Sequence, residues 1–291
     1  MGGEAPKRLS KGGTMTFSRV TNLTPDDFKR HIENRREKDY LLIDVRQPHE
    51  YAEGHLPGSQ LMPLMEFEAN IYHLPQDREL IFYCHSGSRS KMAALLAEEA
   101  EVTEGAIIHL DGGMLAWEGG IASGMPKVEI FEGTLDDHAF MGRAMDLEKG
   151  AYRFYKGLIE RYPDSTFTPV IADLVNAEEA HARLVYGFWR RNVPEAPPFK
   201  VVFEQMTGEI IEGGSRLEDA LDRIGKVAVR QCLTVLEFSL DIEVAAYDLY
   251  RRLAETVSES SARDTFFAIA QAEKRHMMQL AAAVEDCGER A

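Results

Sequence analysis

Two sets of side chains in this 291-residue sequence have the types and spacing that chemistry needs. The first is the run Cys84-His85-Ser86-Gly87-Ser88-Arg89-Ser90. It follows an apolar stretch of strand type (79–84, ELIFYC) and leads into a helical pattern at 90–100. A cysteine at the carboxyl end of a strand, before a helix N-terminus, faces free backbone N–H groups. Those donors, the helix dipole and Arg89 all favour a thiolate and an anionic substrate. We read Cys84 and Arg89 as catalytic, with His85, Ser86, Gly87, Ser88 and Ser90 forming the loop that curls around the anion. His85 is as readily an exposed loop residue as a modulator of the thiol. His55 and His109 fall at scaffold positions and receive no chemistry.

The second set is duplicated. Residues 146–181 recur 95 positions later as 241–276, with eleven of thirty-six positions identical; ordinary composition gives roughly two. Such self-similarity marks duplicated structure. The repeat aligns Glu148 with Glu243, Tyr155 with Tyr250, Glu178 with Glu273 and His181 with His276. Glu148, Ala151 and Tyr155 sit at i, i+3 and i+7, on one face of a helix, and Glu243, Ala246 and Tyr250 repeat the pattern. Glu178/His181 and Glu273/His276 are E-x-x-H pairs. Alone, such a pair is ordinarily a solvated helix face. Here Glu148 and Glu178 each lie fifteen residues from Pro163, and Glu243 and Glu273 fifteen from Ser258. Two helical hairpins folded together would bring four Glu and two His to one level. Four buried carboxylates without counter-charge are costly, and two divalent metals with oxygen and imidazole ligands resolve that cost. The predicted ligands are Glu148, Glu178, His181, Glu243, Glu273 and His276. Tyr155 and Tyr250 either hydrogen-bond those ligands or fill the core.

The elements that must position these groups follow from periodicity. Apolar runs at 40–46, 79–84 and 106–110 alternate with helical patterns, which predicts a parallel sheet covered on both faces. Thr24-Pro25 reads as an N-cap with Pro at N1. Farther on, helices are predicted over 137–162, 168–190, 228–257 and 261–286, with Thr168 as a cap and a short helix at 217–224 in a long crossover. We expect a disordered tail over 1–15, an α/β domain over 16–126, an extended linker over 127–136 and an all-α four-helix bundle over 137–287.

The first domain resembles the single-domain rhodaneses. Asp44-Val45-Arg46 matches D-V-R, His55-Leu56-Pro57-Gly58 matches H-[IL]-P-G, the Cys84–Ser90 loop matches C-x-x-G-x-R-S, and Gly112-Gly113 with Trp117 matches G-G-x-x-x-W. The resemblance implies that Cys84 carries a persulfide and passes sulfane sulfur from small sulfur donors to thiol acceptors or cyanide, with Arg89 holding the anionic donor. Asp44 and Arg46 brace the fold. Cysteine phosphatases have a related loop but enclose five residues between Cys and Arg; four lie between Cys84 and Arg89, a loop tight enough for sulfur. The second domain resembles the rubrerythrin branch of the ferritin-like superfamily, through E-x-x-A-x-x-x-Y and E-x-x-H, each twice. That resemblance implies a di-iron centre, two iron ions per chain, with manganese or zinc as alternatives, and a homodimer. Two features depart from the family: the chain has no C-x-x-C for a rubredoxin-type site, and Ala246 stands where many members have a further Glu.

Net charge is −15, which argues against nucleic-acid or anionic-membrane partners. No apolar run is long enough to span a bilayer, and the N-terminus lacks a signal-peptide pattern, so a cytoplasmic protein is expected. Cys84, Cys232 and Cys287 are too few and scattered for a disulfide framework. Cys232 reads as core, and Cys287 as a bystander thiol or a sulfur acceptor. The leading expectation is a sulfurtransferase fused to a metal domain handling peroxide, oxygen or a sulfur species, with Cys84 sulfur as a possible substrate or reductant for the metal. The alternatives are a sulfur-delivery or sensing module whose bundle is a metal-binding dimerisation scaffold, and iron sequestration.

Overall fold

The computed structural model describes residues 7–9, 15–17, 19–33, 35–131, 137–193, 195–225 and 231–289. The chain divides into two compact units, Met1–Met125 and Pro126–Ala291.

In the first unit a ribbon pairs β1 (Lys7–Leu9) antiparallel to β2 (Met15–Phe17). This corrects the expected tail in part, because backbone pairing orders Lys7–Leu9; the rest of 1–14 lies outside the described residues. A five-stranded parallel sheet follows, ordered β3 (Val20–Leu23), β7 (Ile107–Leu110), β6 (Glu79–Tyr83), β4 (Tyr40–Asp44), β5 (Gln60–Leu61). The central strands β4 and β7 are buried along their whole length, since both sheet faces are covered. Alternate residues serve opposite faces. Leu41, Ile43, Leu80 and Phe82 pack with Phe67 of α3 (Leu64–Asn70) and with Ala93, Ala94 and Ala97 of α4 (Ser88–Glu99). Tyr40, Leu42, Ile81 and Tyr83 pack with Phe28 of α1 (Pro25–Glu33). Thr24 caps α1: its Oγ1 accepts the Asp27 N–H at 3.2 Å. The short β3, β5, α3 and α2 (Pro48–Glu53) are elements that sequence periodicity passed over.

The second unit is helical. α5 (Asp137–Arg161) packs on α6 (Thr168–Trp189), α9 (Gln231–Thr256) packs on α10 (Ser260–Glu289), and α6 meets α10. The crossover holds α7 (Phe199–Gln205), which was not foreseen, and α8 (Leu217–Gly225). Thr168 is the first residue of α6 rather than its cap; its hydroxyl donates to the Tyr162 carbonyl at 2.6 Å. The expected extended linker is corrected too. Val128–Phe131 is a 3-10 turn, and Phe131 is buried against Phe140; an apolar triad this short gains more by curling onto α5 than by staying extended. Residues 132–136 lie outside the described residues. Cys232 packs against an apolar core, as expected, but the reading of Cys287 as a bystander thiol is overturned. The two are joined as a disulfide, with Cα atoms 6.3 Å apart, because α9 starts where α10 ends.

Candidate functional site

Cys84 follows the last residue of β6 and is 1% exposed. The Gly87 N–H donates to Sγ at 3.1 Å, and the Ser90 hydroxyl lies 3.5 Å from it. Burial pushes the thiol pKa up. Hydrogen bonds from the Ser90 hydroxyl and from the N–H groups of Ser90, Ser86 and Gly87 outweigh it, and the net shift is downward. The loop closes this tightly because Gly87 takes φ +95°, a left-handed conformation. Behind it, a Cβ on Gly113 would stand 2.2 Å from the Cys84 carbonyl, so the Gly-Gly pair gives the loop its room.

The other loop residues divide by exposure. His85, Ser86 and Ser88 face outward; Gly87 and Ser90 are buried. Ser90 therefore stands beside the thiol, not on the loop's outer rim. Its Oγ lies 3.0 Å from His109 Nδ1, and buried His109 has Nε2 3.9 Å from Asp111. His109, read as a scaffold residue, thus stands one hydroxyl away from Sγ. Burial lowers its pKa and favours the neutral ring. His55 keeps its scaffold place, stacked on Tyr51.

Arg89 is half-buried and forked onto Glu50, with two N–H···O bonds of 2.7 Å. Glu50 sits on α2, also accepts the Gln47 N–H, and is pulled down to about 2 by Arg89. Sequence reading missed Glu50; the E at the third position of a short Pro-led helix was its only signal. Asp44 and Arg46 are buried and bonded to each other, and Arg46 also reaches the Gly54 carbonyl at 2.7 Å, which fixes the chain below the loop.

In the helical unit the six predicted ligands come together. On every long helix they fall at the border between two apolar cores, as on α5, where residues 141–147 belong to one core and 151–158 to the other. Two overlapping four-residue sets form, Glu148/Glu178/His181/Glu273 and Glu178/Glu243/Glu273/His276, each with ligand atoms within 4.8 Å of one another. They share Glu178 and Glu273. His181 Nδ1 lies 2.9 Å from Glu273, 3.4 Å from Glu148 and 3.5 Å from Glu178, yet makes no hydrogen bond of proper geometry; nor does Glu148 Oε2. His276 Nδ1 is 3.1 Å from Glu243 and 3.0 Å from Glu273. Burial, then repulsion from Glu273, drives Glu243 up to about 8; burial, then Glu273 and Glu243, drives Glu178 well up. Tyr155 donates to Glu243 and Tyr250 to Glu148, a reciprocal pair across α5 and α9. His276 Nδ1 is hydrogen-bonded to both of its glutamates, but the buried His181 Nδ1 and Glu148 Oε2, which approach to 3.4 Å without bonding, suit a shared cation.

The rhodanese-like domain family matches residues 24–119. A sulfurtransferase from Allochromatium vinosum is 36% identical over 81 residues, covering 28% of this chain and 73% of that protein. The thiosulfate sulfurtransferase GlpE from Pseudoalteromonas translucida is 33% identical over 85 residues, 28% of this chain and 75% of that one. A crystal structure of a rhodanese-like domain protein from Staphylococcus aureus is 24% identical and covers 35% of this chain and 97% of that chain, with a TM-score of 0.32. Through its first unit the chain belongs to the rhodanese-like family. Among the described residues no helix is long and apolar enough to cross a membrane.

Proposed function

We propose that this chain is a sulfurtransferase that carries sulfane sulfur as a persulfide on Cys84, fused to a helical unit that binds two divalent metal ions. The cradle around Sγ carries the first part: a buried thiol whose pKa is lowered by directed N–H and O–H donors. The Cys84 thiolate attacks the outer sulfur of a small anionic donor such as thiosulfate. The donor S–S bond breaks, sulfite leaves with the electron pair, and an Sγ–S bond forms. A thiolate acceptor, or cyanide, then takes the outer sulfur; the Sγ–S bond breaks and the Cys84 thiolate returns. The loop N–H groups hold the negative charge at both stages. Arg89, fixed by Glu50, is near enough for its charge to act on Cys84. Thiocyanate production from thiosulfate and cyanide tests this: it is expected in the intact protein and in Glu178→Ala, and is lost in Cys84→Ser. Retained transfer in Cys84→Ser would refute the persulfide.

Glu148, Glu178, His181, Glu243, Glu273 and His276 would hold the metals, and the unbonded His181 Nδ1 and Glu148 Oε2 support that reading. A pair of iron ions bound there would supply a redox couple for peroxide, oxygen or an oxidisable sulfur species. The chain's own contribution is to orient the ligands: Tyr155 and Tyr250 donate to Glu243 and Glu148, and the apolar cores on either side keep water out. Elemental analysis of anaerobically purified protein is expected to give about two metal ions per chain, and a clear loss in Glu178→Ala. Many irons per chain would favour sequestration instead.

A further inference from the structure

We propose that Glu212, on the turn between α7 and α8, is a seventh carboxylate of the metal centre, supplied from outside the four long helices. The proposal rests on the di-metal reading above.

Glu212 is 3% exposed, and neither of its carboxylate oxygens has a hydrogen-bond partner among the described residues. A glutamate is almost never buried this fully unless something pairs with it. Here the leading charges it feels are all acidic: Glu148 first, then Glu273 and Glu243. Three of the six proposed ligands are thus near enough for their charge to act on it, and it acts in turn on Tyr155 and Tyr250, the two residues that hold Glu243 and Glu148. No lysine or arginine is among its leading influences.

The backbone delivers the side chain to this place. The turn is closed by Ile211 N–H to Ser215 O (3.0 Å), Gly214 N–H to Ile211 O (3.0 Å) and Leu217 N–H to Glu209 O (2.9 Å). It is wedged between the first helices of the two pairs. On α5, the Ile210 carbonyl occupies the space of a missing side chain, 2.0 Å from where a Cβ on Gly150 would be. On α9, a Cβ on Gly213 would lie 3.3 Å from Ala245 Cβ. Gly150 is two residues past Glu148, and Ala245 two past Glu243. The turn therefore reaches the level of the ligand layer from the α5 and α9 side of the helical unit. Ile211 beside it is buried with Ala151, Tyr155 and Ile242, which anchors the turn there. A buried carboxylate whose nearest influential charges are acidic, and whose oxygens have no side-chain donor among the described residues, finds its counter-charge in a metal ion.

The test titrates Co2+ into the full-length, metal-free protein against a competing chelator, following cobalt absorption and stoichiometry. The wild type is expected to take about two Co2+ per chain. Glu212→Gln and Glu212→Ala are expected to weaken one site by roughly 10–100-fold, the scale seen when groups supporting a metal site are removed, and to change the cobalt spectrum. Glu212→Asp, which keeps the charge but shortens the reach, gives the same loss should the other two fail to fold. Glu209→Gln, an exposed neighbour, leaves affinity unchanged. Without metal, Glu212→Gln raises the melting temperature, because a buried unpaired acid is gone; with Co2+ bound the gain disappears. Wild-type stoichiometry with unchanged affinity and spectrum in the Glu212 variants overturns this proposal alone. Failure of the wild type to bind Co2+ at all overturns the di-metal reading and the proposal with it.

Discussion

Ser90→Ala isolates how the fold tunes Cys84. The hydroxyl contributes the side-chain donor that lowers the thiol's pKa, at 3.5 Å from Sγ. Hydrogen bonds to charged groups contribute about 1.5–3 kcal/mol, and a bond this long to sulfur belongs at or just below the lower end. At 1.36 kcal/mol per pKa unit, the Cys84 pKa rises by about one unit. The thiolate fraction below the pKa then falls about tenfold. The more basic thiolate is also the better nucleophile, by about threefold for a Brønsted slope of 0.4–0.5, so alkylation or sulfur uptake slows by only about threefold there and becomes faster than wild type at high pH. The assay is a pH–rate profile for iodoacetamide alkylation of Cys84, with the thiolate's ultraviolet absorbance as a second readout. Crossing profiles are the signature. A uniform loss at all pH values, or an unshifted profile, would refute the argument and leave Ser90 as packing only. Because the same hydroxyl lies 3.0 Å from the buried His109 Nδ1, which it can accept from while donating to Sγ, the variant is further expected to lose about 1–3 kcal/mol of stability.

Three more predictions follow from the same geometry. Glu50→Gln removes a carboxylate held down to about 2 by Arg89, whose folded-state pKa is below its ordinary 4.5. Its stabilising effect is present above about 4.5 and is lost as pH falls through about 2, so the melting temperature of the wild type should drop more steeply over that window than that of the variant. Tyr155→Phe and Tyr250→Phe each leave a buried glutamate without its donor; each is expected to cost about 1–3 kcal/mol in the metal-free protein, read by urea denaturation, and a melt unchanged by either would argue that the tyrosines only fill space. The Cys232–Cys287 bridge closes a separation of 55 residues, for which chain entropy gives about 4 kcal/mol; reductant or Cys232→Ser should lower the melting temperature, and peptide mapping without reductant should recover the linked pair.

Legibility differed between the two units for physical reasons. The convergence of the helical glutamates and histidines was legible because a helix converts spacing into direction: i, i+3 and i+7 share a face wherever the helix lies. Equal distances from Pro163 and Ser258 then set their height. The Cys84 loop was legible because a strand end, small residues and a helix start impose one local shape. Glu50, His109 and Glu212 were not legible. Each reaches its site across a gap in sequence, 39 residues from Glu50 to Arg89 and 19 from His109 to Ser90, and nothing local to any of them marks its target. Cys232 and Cys287 failed in the same way: each looks like an isolated thiol until α9 and α10 lie side by side.

What the sequence alone determined is the inventory and its local directions: a cysteine heading a tight loop between strand and helix, and two duplicated helix pairs whose acids face inward. These depend on backbone periodicity and loop composition, which are properties of neighbouring residues. What only tertiary structure decided is the partnership of each charge. Arg89 is matched to Glu50, Ser90 to His109 as well as to Cys84, and Tyr155 and Tyr250 to glutamates on each other's helices, while Glu212 is buried with its carboxylate oxygens unbonded. Burial makes those partnerships matter, because in a low-dielectric interior an unmatched charge is costly, and packing alone determines which groups are buried together.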